Sequence, residues 1–214
     1  MSRIIVGGYC VGMVQTNCYY VHLEGSGKTL VFDPGDAGRQ IAEALEQQGL
    51  EIAAVFLTHA HYDHIFGVEE IRKKSGAPVY ASAAEARLCG DPQLNLSADF
   101  GRPCTVKADE WLRDSQTMDL AGMKVRMIDT PGHTEGSCCY YITAGEDQHI
   151  LISGDTLFEQ SVGRTDLPTG SMSALVRSVK DKLYVLPDDT EVYPGHGGAT
   201  SIGFEKLNNY YVHS

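Results

Sequence analysis

Two features of the sequence predict an α/β fold. Short apolar runs of strand length alternate with segments of helical periodicity, and several of those runs end in a turn that carries an aspartate or a histidine. In order along the chain, Cys18–Leu23 and Leu30–Asp33 read as strands. Gly38–Gln48 reads as a helix, with Ile41, Ala42 and Leu45 on one face and Gly49 as its stop signal. A strand at Ala54–Leu57, a helix at Gly67–Lys74 and a strand at Val79–Ala81 follow. Ser82–Leu88 begins with Ser82 and Glu85 at capping-box spacing and so reads as a helix. Most of Gly90–Arg113 reads as loop, in which Trp111 is expected to anchor the core or its rim. Three strands come next, Lys124–Ile128, Cys138–Ile142 and Ile150–Ser153. A helix at Ser171–Leu183, a strand at Val192–Tyr193 and a helix at Ile202–Tyr210 complete the series.

The strand ends share one grammar. Leu30-Val31-Phe32-Asp33 and Leu151-Ile152-Ser153-Gly154-Asp155 each end in an aspartate, while Val55–His59, Met127–His133 and Val192–His196 each end in a loop with histidine. In sheet-based α/β folds ligands sit at such ends, so these loops are candidates for one shared site. The repetition also fits two similar halves packed sheet on sheet.

Composition bounds the rest. At 214 residues with 43% hydrophobic residues, the chain is expected to form one domain over residues 1–214 without disulfide staples. Seventeen Lys and Arg against 28 Asp and Glu give a net charge of −11, the wrong sign for a nucleic-acid or acidic-membrane surface. The six cysteines include no C-x-x-C pair, so a reduced, cytoplasmic protein is expected, and alternation puts Cys138 and Cys139 on opposite faces of one strand rather than in a redox pair. Arg3 and the apolar run Ile4–Val14 superficially resemble a secretion signal. Three glycines in the run and the lack of a small-x-small cleavage site argue against one.

The chemistry is concentrated in Thr58-His59-Ala60-His61-Tyr62-Asp63-His64. Residues two apart in an extended segment point the same way, so His59 and His61 can reach one ion while the turn after Tyr62 swings Asp63 and His64 toward another. With His133, Asp155 and His196 the candidate ligands number seven, more than one ion uses, and imidazoles mixed with carboxylates suit Zn²⁺, with Fe or Mn tolerated. Two metals are therefore expected.

These motifs in this order, Asp33-Pro34-Gly35, His59 to His64, Gly132-His133, Gly154-Asp155 and Gly195-His196, resemble those of the metallo-β-lactamase-fold hydrolases. The resemblance implies an αββα sandwich of two mixed sheets flanked by helices. It also implies one metal on His59, His61 and His133, a second on Asp63, His64 and His196, Asp155 bridging, and Asp33 buttressing the histidine loop. Gln15-Thr16-Asn17-Cys18, Gly163–Pro168 and Gly195–Lys206 are further similar to the compact glyoxalase II-like branch, whose members resemble hydroxyacylglutathione hydrolase. What that implies is a zinc-dependent hydrolase of a small thioester or related ester, with a metal-bridging hydroxide as nucleophile and Asp63 and Asp155 as its catalytic carboxylates.

Departures from the branch are specific. The position of the family's glutathione-contacting lysine holds Arg164, its aromatic partner is replaced by Asp166, and the tyrosine after the last histidine by Gly198. A C-terminal glutathione-binding helical domain is not expected. Arg164 is thus expected either to contact substrate or to pair with Asp166. Gly163–Asp166 also resembles the persulfide dioxygenases, which would use one iron on His59, His133 and Asp155; that is the alternative function.

Overall fold

The structure, a computed structural model, describes residues 3–145 and 148–213. Six strands build the first sheet in chain order: β1 (Ile4–Val11), β2 (Thr16–Leu23), β3 (Lys28–Phe32), β4 (Glu51–Phe56), β5 (Val79–Ser82) and β6 (Glu110–Leu112). The first three pair antiparallel and the last four parallel. Helices α1 (Gly38–Gln47), α2 (Tyr62–Ile65), α3 (Val68–Ser75) and α4 (Ala86–Gly90) fall between its strands in the chain. The second sheet holds β7 (Thr117–Leu120), β8 (Met123–Asp129), β9 (Cys138–Thr143) and β10 (His149–Gly154), then β13 (Glu191–Pro194) and β14 (Thr200–Ser201), in the order β14-β13-β10-β9-β8-β7. A small hairpin of β11 (Leu157–Phe158) and β12 (Ser161–Val162) precedes α5 (Met172–Ser178), and α6 (Ile202–Asn208) follows β14.

Three apolar layers show the expected sandwich. Between the sheets lie Val21, Leu30, Phe32, Phe56, Met127, Cys138, Tyr140 and Ile152. Behind the first sheet, Ile41, Leu45, Val68 and Ile71 of α1 and α3 pack on Val31 and Val55, and behind the second, Leu175, Leu183 and Ile202 pack on Cys139, Leu151 and Val192. Side chains alternate across a strand, so Cys138 and Cys139 enter different layers, as alternation predicts, and both thiols are free. Phe32, Phe56 and Tyr140 cluster with ring centroids 4.9–5.6 Å apart, and the buried Tyr140 hydroxyl donates to the Leu57 carbonyl at 2.8 Å.

Topology explains why the site lies at strand ends. β3 and β4 run parallel; β8 and β10, each antiparallel to β9, run parallel to one another and to β13. Within each sheet, the strands followed by Asp33, His59, His133, Asp155 and His196 therefore deliver their loops at one edge.

Several elements differ from the sequence reading. Ile4–Val11 is the edge strand β1, with Ile4 and Val11 buried and Ile5, Val6 and Tyr9 half-buried, and the Tyr20 ring crosses Gly7 2.1 Å from where a Cβ would stand. The capping box does not form. Ser82 accepts from the Ala84 N–H, but Glu85 turns inward to a buried donor, so the segment opens as a short 3₁₀ turn, Ala83–Glu85, before α4. The helix expected over Ser171–Leu183 is α-helical to Ser178 and widens to π geometry over Val179–Leu183. Trp111 sits on β6, 37% exposed, at the rim. Among the described residues no helix is long and apolar enough to cross a membrane.

Candidate metal centre

The histidine loop leaves β4 through Leu57 and Thr58, and its two outer ligand positions are oriented by one carboxylate. Asp33, at the end of β3, accepts from the Thr58 N–H at 2.8 Å and from the Thr58 hydroxyl at 2.6 Å, and its Oδ2 lies 3.1 Å from His64 Nδ1. With its own proton committed to Asp33, the Thr58 hydroxyl oxygen is left to accept from His59 Nδ1 at 3.1 Å. That fixes the His59 tautomer and turns the lone pair of its Nε2 inward. His133 is set the same way, its Nδ1–H donating to the Arg164 carbonyl at 2.7 Å. Asp33 sits at φ 48°, a left-handed conformation that aspartate tolerates.

All seven residues expected from the sequence converge. Donor atoms of His59, His61 and His133 lie within 4.8 Å of one another, as do those of Asp63, His64 and His196, and those of His59, His64 and Asp155. Asp155 stands between the first two groups: one carboxylate oxygen is 3.5 Å from His133 Nε2 and 3.6 Å from His196 Nε2, the other 3.5 Å from His64 Nε2. Gly195 makes this possible, because a Cβ there would meet Asp155 Oδ1 at 2.2 Å and His64 Cε1 at 2.8 Å.

The cluster fits cations. Nε2 of His59, His61 and His64 and Oδ1 of Asp155 are buried without a hydrogen-bond partner, which is costly for protein groups left to themselves. Burial and the surrounding imidazoles push the His59 ring well below its ordinary value, and burial followed by His133 brings His61 to about 3. Both rings are thus neutral donors at physiological pH. At the other group, burial opposes charge on His64, yet Asp63, Asp155 and Asp33 outweigh it and raise the ring to about 10. Burial likewise works against the Asp63 anion, but His64, His196 and the Thr16 hydroxyl, which donates at 2.8 Å, hold it below the usual carboxylate range. The carboxylates around His64 therefore favour positive charge, which a divalent ion supplies.

Arg164 makes the expected pair with Asp166. Its guanidinium makes a two-pronged pair with Asp166 at 2.7 and 2.8 Å, and its side chain lines the cleft of about 340 Å³ that opens over Asp63, His133, Asp155 and His196.

Three contributors escaped the sequence reading. Thr16 bonds Asp63, and the Asn17 amide donates to the carbonyls of Pro194 and Gly197, tying the start of β2 to the His196 loop. Only their place in the Gln15–Cys18 motif marked them. Glu85 is 1% exposed and joins the two histidine loops: it accepts from the Ala60 N–H at 2.8 Å and from the Thr134 hydroxyl at 2.9 and 3.0 Å. Burial lifts its carboxyl to about 7. Since the folded state then binds the proton more tightly than the unfolded chain, Glu85 should erode stability as pH rises from about 4.5 to about 7, by on the order of 3 kcal/mol, and add no further slope above. Urea unfolding of metal-free wild type and Glu85→Gln across that range checks this, the expected result being a pH slope in the difference between them.

Comparison with known proteins agrees with this geometry. The family model described as the metallo-beta-lactamase superfamily matches residues 11–196. The probable metallo-hydrolase YqgX of Bacillus subtilis is 37% identical over 94% of both chains, and the hydroxyacylglutathione hydrolase GloC of Haemophilus influenzae 28% identical over 94% of both. Among solved structures, the BLEG-1 B3 metallo-beta-lactamase superposes with a TM-score of 0.90 at 36% identity, covering 98% of this chain and 100% of its own. TTHA1623 in a di-iron-bound form superposes at 0.81 with 31% identity, covering 96% and 100%. The chain belongs to the metallo-β-lactamase superfamily, as a metal-dependent hydrolase.

Proposed function

We propose that the protein is a binuclear hydrolase, zinc-loaded in its working form, that cleaves a small thioester of the S-lactoylglutathione type or a closely related ester. The observation that carries this reading is the position of Asp155 between two complete three-residue donor groups. His59, His61 and His133 would hold one ion, Asp63, His64 and His196 the other, and Asp155 both. Two such ions supply, when bound, an acidified water and an electrophilic pole for the carbonyl oxygen.

The chain's own residues set the rest. Asp33, acting through the Thr58 hydroxyl, keeps the His59 proton on its outer nitrogen and leaves the inner one free to ligate, while its carboxylate faces the outer nitrogen of His64 at 3.1 Å. Asp63, held ionised by His64, His196 and Thr16, places fixed negative charge beside the reacting centre. A thiolate is a weak enough base to leave unprotonated, so a thioester needs no dedicated acid in the cleft. The name of GloC, carried by a relative of matching length, supports the substrate class, and the two irons of TTHA1623 support the nuclearity.

A single iron on His59, His133 and Asp155, as a persulfide dioxygenase would use, leaves Asp63, His64 and His196 with no metal to hold. The test is a panel on metal-reconstituted protein: S-lactoylglutathione, a simple aryl thioester, a chromogenic β-lactam, and glutathione persulfide with an oxygen electrode. Thioester turnover is expected. Iron-dependent oxygen uptake with no thioester turnover overturns the reading.

A further inference from the structure

The loop Asp91–Ala108, which the sequence leaves without a role, is built to present an apolar wall to the site. Asn95 and Ser97 are fully buried and hold it: the Asn95 amide and the Ser97 hydroxyl both donate to the Cys104 carbonyl, and the Cys104 N–H returns to Ser97 Oγ. The Asn95 carbonyl accepts from the Tyr62 N–H at 2.9 Å, which docks the loop onto the ligand motif itself. Between the two anchors Leu96 is held at φ 66°, a conformation that costs a leucine strain, and its side chain lines the cleft. Four residues on, Phe100 is 48% exposed and stacks on Tyr62 with centroids 4.0 Å apart. Val14 of the β1–β2 turn lines the same cleft, and Met13 beside it is 87% exposed.

Each cation beside this wall faces a carboxylate. Arg164 is paired to Asp166, and Arg102, in the adjoining cleft under Phe100, is paired to Asp36 at 3.2 Å and lies over the Phe66 ring. No lysine lines either cleft, and Asp99 adds a carboxylate. A substrate arm bearing carboxylates finds no unpaired cation among these residues, whereas an apolar arm finds Val14, Leu96, Phe100 and Tyr62.

Resting on the thioester reading above, we propose that Leu96, Phe100 and Val14 determine specificity for a substrate whose thiol arm is uncharged and apolar, and that the dicarboxylate arm of glutathione is disfavoured. A small acyl group at the His/Asp cluster leaves the thiol side as the arm that meets the wall.

The experiment compares two thioesters of one acyl group, S-lactoylglutathione and S-benzyl 2-hydroxypropanethioate (the lactoyl thioester of benzyl mercaptan), on zinc-reconstituted enzyme. The expected kcat/KM favours the benzyl compound tenfold or more. Phe100→Ala and, independently, Leu96→Gly, which keeps the backbone conformation, should each lower that preference several-fold, mainly through KM, as loss of uniform binding does. Asp166→Asn, which frees the Arg164 guanidinium, should raise kcat/KM for S-lactoylglutathione and narrow the ratio from the other side. A preference for S-lactoylglutathione, or a ratio unmoved by Phe100→Ala and Leu96→Gly, overturns this inference and leaves the thioester reading standing. Failure to cleave either compound overturns both.

Discussion

Replacing Asp155 with alanine is expected to lower kcat/KM on the order of a thousandfold or more, with the fold intact by circular dichroism. The Asp155 carboxylate lies within 3.6 Å of His133 in one donor group and of His64 and His196 in the other, so its loss removes the negative charge between them. Metal-derived stabilisation of a developing oxyanion amounts to several kcal/mol, and each 1.36 kcal/mol is a factor of ten in rate. The fold should survive because the carboxylate lies at the cleft, beyond the end of β10, and contributes to none of the three apolar layers. Asp155→Asn serves as the isosteric control. It retains the shape but not the charge and should also lose most activity. Undiminished turnover in both variants would remove Asp155 from the mechanism.

The second large effect is expected at Asp33, a residue that touches no substrate. Asp33→Ala leaves the Thr58 N–H and hydroxyl without their acceptor in a buried position, and buried unsatisfied groups cost about 1–3 kcal/mol each, so roughly 3–5 kcal/mol of stability should be lost. Alanine also tolerates the left-handed backbone there less well than aspartate. Metal affinity should fall about 10–100-fold, because the Thr58 hydroxyl that fixes His59 loses its own acceptor and His64 loses the carboxylate facing its outer nitrogen. Competition with a chromophoric chelator measures the second effect and urea unfolding the first. Asp33→Asn, which keeps the shape and the backbone preference, should recover most of the stability and less of the affinity. Equal affinity in Asp33→Ala and wild type would show that the histidines are oriented without it.

Physical periodicity decides which parts of this molecule were legible from the sequence. The interior strands read clearly because both faces are buried, and their apolar runs are continuous over Leu30–Phe32 and Leu151–Ile152. The short edge elements β6, β7 and β14 did not, since half-exposed strands of two to four residues carry too few positions to show a period. β1 hid behind its glycines, which lie under the Tyr20 ring at Gly7 and beside the Tyr19 ring at Gly8. The seven candidate ligands stood out because their residue types are rare in such a pattern. Glu85 did not: three residues after Ser82 it mimics a helix-start signal, and the buried Ala60 N–H that claims it lies on a distant loop. The wall formed by Leu96 and Phe100 was equally unreadable, because a loop held by buried Asn95 and Ser97 looks in sequence like any polar loop.

Metal titration of metal-free protein, followed at once by calorimetry and by thioester turnover, tests the two-ion centre most directly. Zn²⁺ should bind to about two equivalents per chain, with turnover rising until the second is filled, and His196→Ala should reduce the binding to about one equivalent. Full turnover at one equivalent in both wild type and His196→Ala would contradict a centre built on two ions and bridged by Asp155.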